Sequence, residues 1–80
     1  MFEWNPKEDP VLQQAINNYL IEHDLYLNPQ AEYEPVIDGV YVCVSGYTVL
    51  RIGLPPVSNY SIRETEYTDE YMRLPKAVAV

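Results

Sequence analysis

Cys43 and His23 are the side chains of this sequence with the chemistry of a catalytic nucleophile and base, and each is the only residue of its type. Cys43 falls within a valine-rich run, whereas a reactive cysteine needs an electropositive, partly open site. His23 falls near the end of a predicted helix, where a cation interacts favourably with the helix dipole. Nothing in the pattern brings a strand centre to a helix end. We therefore interpret Cys43 as an inert core thiol and His23 as a surface histidine.

Motifs for nucleotide or metal chemistry are missing from the sequence. There is no GxxxxGK[ST] segment, no GxGxxG segment and no zinc-type spacing of cysteine and histidine. Glu64 and Glu66 would share one side of a strand, but paired carboxylates perform acid–base chemistry or hold a metal only inside a shaped cleft. A domain of 80 residues rarely encloses such a cleft. We expect a protein that is not an enzyme and that uses no metal or cofactor.

The stretch ETEYTDEY, residues 64–71, combines four carboxylates with two tyrosines and no base. Carboxylates spaced along a surface imitate phosphates and bind Arg and Lys, while tyrosines stack on guanidinium groups. If strand order allows, acids from the chain centre join this stretch in one field. The predicted partner-binding residues are Glu32, Tyr33, Glu34, Asp38, Glu64, Glu66, Tyr67, Asp69, Glu70 and Tyr71.

Two alternatives to this binding site remain open. The carboxylates would also serve as a solvated acidic edge that discourages edge-to-edge pairing of strands. Arg63 and Arg73 stand beside the acids in the sequence. If they pair with the acids locally, the negative field is weaker.

The chain carries a net charge of −7, from 12 acids against five bases. Residues 1–40 hold eight acids and Lys7 as their one base. Such a protein is repelled by phosphate backbones, so we expect no direct binding of nucleic acid. The same field attracts a basic protein surface and speeds encounter with it. The alternative is that the charge only keeps a small protein soluble.

Length and segment composition predict one small domain over residues 1–80, located in the cytoplasm. The start, MFEWNPKEDP, has neither the basic region nor the apolar region of a secretory signal. No apolar run approaches the roughly 20 residues needed to cross a bilayer, so we expect no contact with a membrane.

The segment DPVLQQAINNYLIEHDL predicts an amphipathic helix over about residues 10–25. Asp9 is a good N-cap, and Pro10 is a favourable first helical residue. Apolar side chains then recur at steps of three and four, on one helical face. They are Val11, Leu12, Ala15, Ile16, Tyr19 and Leu20.

The following segment, rich in Val, Ile, Tyr and Thr, predicts antiparallel strands over about residues 33–37, 40–45 and 47–53. Asp38-Gly39 and Ser45-Gly46 are hairpin-turn signals between them. A fourth strand is predicted over 60–67, followed by a short helix with Thr68 as its cap. The predicted fold class is α+β, with the N-terminal helix packed on a three- to four-stranded antiparallel meander.

Tight turns would give this sheet two largely apolar faces. One face is predicted to hold Ile37, Val40, Val42, Val44 and Val49. The other is predicted to hold Val36, Tyr41, Cys43, Thr48 and Leu50. One helix covers one face, so the second needs the Phe2/Trp4 arm, the C-terminal segment or another molecule. Tyr41 and Leu50 mark this face as a candidate surface for a homodimer, and a bulge near Ser45-Gly46 would reshuffle both faces.

In size, charge, tyrosine content and lack of catalytic groups, the chain resembles the small acidic proteins encoded by phages and mobile elements. These include nucleic-acid mimics and anti-CRISPR inhibitors, and the resemblance rests on composition. It implies an inhibitor that docks on the basic, nucleic-acid-binding surface of a host protein, in the host cytoplasm. The alternative is a structural or assembly subunit that works through the apolar sheet face, the N-terminal aromatics and the terminal AVAV.

Overall fold

The computed structural model describes residues 5–53 and 60–75, so Phe2, Trp4 and the AVAV tail lie outside the described residues. A short 3-10 helix at Pro6–Glu8 leads into α1 (Pro10–Glu22). The Asp9 carboxylate caps α1 by accepting hydrogen bonds from the amides of Val11 and Leu12, as its position before Pro10 predicts. None of the described helices is long and apolar enough to cross a membrane.

The helix α1 ends at Glu22, earlier than predicted, because the chain then turns left-handed. Asp24 has a φ of 55°, and the amide of Leu25 donates to the carbonyl of Leu20 at 2.9 Å. This bond is that of a Schellman motif, which usually places glycine at the left-handed position. Leu20 and Leu25 are both buried, so the hydrophobic contact that accompanies this motif helps to stop the helix here.

Four antiparallel strands form one sheet in the order in which they occur along the chain. They are β1 (Glu32–Val36), β2 (Gly39–Val44), β3 (Tyr47–Gly53) and β4 (Ser61–Glu64). Ser45 and Gly46 join β2 to β3 with φ values of 52° and 84°, and a two-residue type I′ turn requires positive φ at both positions. The predicted α+β fold, with a helix on an antiparallel meander, is confirmed.

The core lies between α1 and the inner face of the sheet. Its members are the buried side chains Leu12, Ile16, Leu20, Leu25, Val40, Val42, Val44, Val49, Leu50, Ile52 and Met72. Leu12, Ile16 and Leu20 lie on the apolar helical face that the spacing predicts, whereas Val11 is exposed. The alternation of β2 sends Val40, Val42 and Val44 inward, which leaves Tyr41 and Cys43 on the outer face.

A β-bulge in the second hairpin corrects the predicted assignment of faces. Val42 pairs with Leu50 and Cys43 with Thr48, so Val49 has no partner on β2. The extra residue shifts the alternation of β3, and Leu50 is fully buried in the core instead of lying beside Tyr41. Ile37 was also assigned wrongly, because it lies in the turn after β1 and is 98% exposed. The outer face is therefore not the apolar surface that the sequence predicts.

The C-terminal helix α2 (Thr68–Met72) packs at one end of the sheet. Tyr67, not Thr68, is its N-cap residue, and no side chain caps it. After α2 the chain runs beside the segment that follows α1, where the amide of Tyr26 donates to the carbonyl of Met72 and the amide of Leu74 to that of Asp24. The ends of the two helices are thereby joined.

Candidate functional site

The predicted acidic field is divided by the meander. Glu32 and Glu34 lie on β1, at one edge of the sheet, whereas Glu64 lies on β4, at the other edge. Three strand spacings of about 4.8 Å separate these edges, so the two groups of acids do not join. Asp38 is exposed in the turn between β1 and β2. The strand order therefore does not allow the single acidic field that the sequence analysis made conditional on it.

Glu64 and Asp69 form ion pairs within the chain. Nη2 of Arg73 lies 2.7 Å from Oε1 of Glu64 and 2.6 Å from Oδ1 of Asp69. The Arg73 guanidinium also donates to the backbone carbonyl of His23. These two carboxylates therefore already have a cation, and they connect β4 and α2 to the end of α1.

Tyr19 and His23 complete this connection on the helix side. The Tyr19 hydroxyl donates to Oε2 of Glu64 at 3.0 Å, and its ring stacks on that of His23 with centroids 4.1 Å apart. Partial burial, followed by the hydrogen bond to Glu64, raises the pKa of Tyr19 above its usual value of 10.0. Nδ1 of His23 lies 3.8 Å from the same carboxylate oxygen. This group of side chains fixes the position of the helix on the sheet.

Three tyrosines gather at the other side of α2, and we call them the tyrosine cluster: Tyr47, Tyr67 and Tyr71. The Tyr47 ring lies 4.7 Å from that of Tyr67 and 5.8 Å from that of Tyr71, centroid to centroid. Tyr47 is 44% exposed, while the other two are half-buried. The cluster thus presents an aromatic surface to solvent. Tyr47 was not among the predicted site residues, because its contact with Tyr67 and Tyr71 depends on where the chain after β4 packs on β3.

Exposed carboxylates flank the tyrosine cluster. Glu66 precedes Tyr67 and Glu70 precedes Tyr71, and neither acid forms an ion pair with any residue in the described ranges 5–53 and 60–75. Burial, followed by the charge of Glu70, raises the pKa of Tyr71 above 10.0. Glu70 is the neighbour of Tyr71 in α2, so its carboxylate adds negative charge beside the cluster.

Two threonines hold the cluster in place, and the sequence singled out only Thr68, as a helix cap. The Thr68 hydroxyl donates to the carbonyl of Val49 and accepts a bond from the amide of Thr65 at 2.8 Å. The Thr65 hydroxyl donates to the carbonyl of Thr48. Both carbonyls lie at the bulge in β3. The sequence signal for these hydrogen bonds is the TxxT spacing directly after a strand. The spacing indicates them only once the bulge in β3, which presents the two carbonyls, is known.

Tyr33 does not belong to the acidic surface. It pairs with Val42 and therefore faces α1, where its hydroxyl accepts a hydrogen bond from Nε2 of Gln13 at 3.3 Å. The same Gln13 nitrogen donates to the carbonyl of Pro6 at 3.0 Å. The role of Tyr33 in this structure is to join β1 to α1 and to the 3-10 helix.

Cys43 and His23 lie on opposite faces of the sheet. Cys43 is half-buried on the outer face rather than in the core, with its Sγ 3.9 Å from Oε2 of Glu34 and 3.8 Å from Oγ1 of Thr48. His23 is exposed at the C-cap of α1, as expected of a surface histidine. Within the described part of the chain, no three His, Cys, Asp or Glu side chains are placed to hold a metal ion.

Comparison of the chain with protein families, with characterised proteins and with solved structures gave no match.

Proposed function

We propose that the protein is a non-enzymatic binding protein that docks on a basic surface of a partner protein through the tyrosine cluster and its flanking acids. The partner surface is one that otherwise binds nucleic acid, and the protein blocks it by electrostatic and steric competition. This is the mode of action of the small acidic inhibitors that phages and mobile elements encode, which work in the host cytoplasm.

The observation that supports this proposal most strongly is the pairing of an exposed aromatic surface with carboxylates that have no cation within the described residues. Tyr47 offers a ring on which a guanidinium can stack, and Glu66 and Glu70 offer oxygens to the same group. A buried aromatic anchor surrounded by charged contacts is a common arrangement at protein interfaces. Glu64 and Asp69 play a smaller part, because both already pair with Arg73.

The chain also favours a basic partner at longer range. Its net charge of −7 raises the rate of encounter with a cationic surface and repels competing nucleic acid. The ion pairs between the protein and its partner form at an exposed surface, so salt weakens them. The screening length is about 8 Å at physiological ionic strength. Binding that persists at high salt would point to an apolar interface instead.

The test is affinity capture from a lysate of the organism that encodes the chain, at low and high salt, with and without added DNA or RNA. The test variant is Glu66→Gln with Glu70→Gln. The matched control is Glu8→Gln with Glu22→Gln, which removes the same charge from exposed sites in the 3-10 helix and at the end of α1. We expect the test variant to lose a partner that wild type and control both retain, and that nucleic acid displaces. Equal capture by both variants would contradict the proposal.

A further inference from the structure

The outer face of the sheet carries one row of side chains in cross-strand register. Glu34 pairs with Tyr41, Tyr41 with Arg51, and Arg51 with Arg63. Directly opposed residues point to the same side of a sheet, so the four side chains form a row from the β1 edge to the β4 edge. Within the described residues nothing covers this row, as Glu34, Arg51 and Arg63 are all exposed.

Among residues 5–53 and 60–75, the charges along this row form no ion pair. Arg51 and Arg63 are directly opposed like charges, an arrangement that destabilises a sheet unless something compensates. Arg51 lies over the Tyr41 ring, 5.8 Å from its centroid, and no described carboxylate pairs with either arginine. Glu34, at the other edge, lies 3.9 Å from the Cys43 thiol and has no other described partner. In the described part of the chain, the row thus has an unpaired acid at one end and unpaired bases at the other.

We propose that this face is the interface between two copies of the chain, packed face to face about a two-fold axis parallel to the strands. Such an axis reverses the strand order, so β1 of one copy lies over β4 of the other. Glu34 of each copy then meets Arg63 of its partner, and Tyr41 meets Arg51. A two-fold interface forms every contact twice, so the row is complementary to itself.

The charge pattern selects this axis over the other one available to two stacked sheets. An axis perpendicular to the strands would place Glu34 on Glu34 and Arg63 on Arg63, which is repulsive at both ends. With the parallel axis Glu34 meets Arg63 at both ends, and Arg51 meets the ring of Tyr41. The face is also locally neutral, with Glu32 and Glu34 balanced by Arg51 and Arg63, although the whole chain carries −7.

A concavity of about 540 Å³ lies beside the row and fits the same arrangement. Gly39 and Gly53 pair across the strands at its floor, so no side chain projects into it from these two positions. Ile37 stands at its rim and is 98% exposed. In the proposed dimer the rim of one copy lies over Gly53 and Ser61 of the other, where Ile37 gains apolar contact.

The proposed dimer is weak. Four strands at about 4.8 Å give a face roughly 19 Å wide, which places the interface near the lower limit of about 1,000 Å² for specific association. Its ion pairs are at the rim and contribute little each. We therefore expect a dissociation constant on the order of micromolar or weaker. Affinity is the part of the contact free energy that remains after the entropy lost on association is subtracted.

The test is sedimentation equilibrium of the full chain from micromolar to near-millimolar concentration. Glu34→Arg and Arg63→Glu should each be monomeric across the range in which the wild type dimerises, because each places like charges together. Mixing equal amounts of the two variants should restore the dimer, since every pair then regains opposite charges. Glu8→Arg, the same change of charge on an exposed residue of the 3-10 helix, should dimerise like the wild type.

A wild type that stays monomeric throughout would overturn the proposal. Two single variants that dimerise as well as the wild type would overturn it too, because the contact would then lie elsewhere. Failure of the mixture to recover, with both variants folded by circular dichroism, would reject the predicted axis and its pairing. The interface does not include Glu66 or Glu70, so these results are independent of the proposed function.

Discussion

Tyr47 and Tyr71 stack at an interplanar angle of 18°, although one begins β3 and the other belongs to α2. The contact exists because the turn before α2 is bonded to the backbone of β3 through Thr65 and Thr68. The rings are therefore ordered before any partner arrives. An ordered surface loses less conformational entropy on binding than a flexible one.

Thr68 is predicted to contribute strongly to stability. It is fully buried, and its hydroxyl both donates to the carbonyl of Val49 and accepts from the amide of Thr65. Thr68→Val keeps the shape but leaves both backbone groups unsatisfied, and we expect a loss of about 2–3 kcal/mol in the free energy of unfolding. Thr68→Ser keeps the bonds and loses a methyl group, at about 1 kcal/mol. Urea unfolding of both variants measures the difference, and equal losses would contradict this role.

Gly39 and Gly53 pair with each other but should respond very differently to alanine. A Cβ on Gly39 would lie 1.9 Å from the backbone carbonyl oxygen of Ile52, whereas a Cβ on Gly53 would meet no atom of the described residues closer than 3.7 Å. We expect Gly39→Ala to destabilise by about 3 kcal/mol or more, because backbone atoms must move. Gly53→Ala should be neutral or stabilising by up to about 1 kcal/mol, because alanine costs less chain entropy than glycine. Thermal unfolding of the two variants decides this, and similar melting temperatures would refute it.

Stability should fall as the pH rises above about 10. Partial burial and the bond to Glu64 raise the pKa of Tyr19 in the folded chain, so the unfolded chain loses that proton first. The contribution of Tyr19 to the free energy of unfolding is complete below its unfolded pKa of 10.0. It is lost as the pH rises through the higher pKa of the folded chain. The pKa of Tyr60 is raised as well, first by burial and then by the charge of Asp9.

Tyr19→Phe removes this titration, so its stability should decline less steeply above pH 10 than that of the wild type. Tyr26→Phe is the control, because the Tyr26 hydroxyl forms no hydrogen bond within the described residues. Urea unfolding at a series of pH values gives both slopes. Identical slopes for Tyr19→Phe and wild type would contradict the role of the bond to Glu64.

The sequence was most informative where local chemistry decides the structure. Asp9 and Pro10 mark the start of α1, and Ser45-Gly46 marks a turn, because capping and positive φ depend on the residues themselves. The end of α1 was less evident, since a left-handed Asp24 replaces the glycine that usually signals it.

The candidate site was harder to predict because it depends on long-range pairing. One bulged residue, Val49, moved Leu50 from the outer face into the core. Strand order decided that Glu34 and Glu64 lie at opposite edges, and no local pattern encodes that order. Arg73 stands beside the acids in the sequence, and the structure confirms that it pairs with Glu64 and Asp69.

The most direct test of the central claim is an NMR titration of the labelled protein with an arginine-rich peptide, at low salt. We predict that the amides of Tyr47, Glu66, Tyr67, Glu70 and Tyr71 shift first, and that Glu66→Gln with Glu70→Gln weakens the apparent affinity at least tenfold. The Glu8→Gln, Glu22→Gln control should bind like the wild type. Shifts confined to β1 or spread evenly over all exposed acids, with both variants equally affected, would show that the tyrosine cluster is not the binding site.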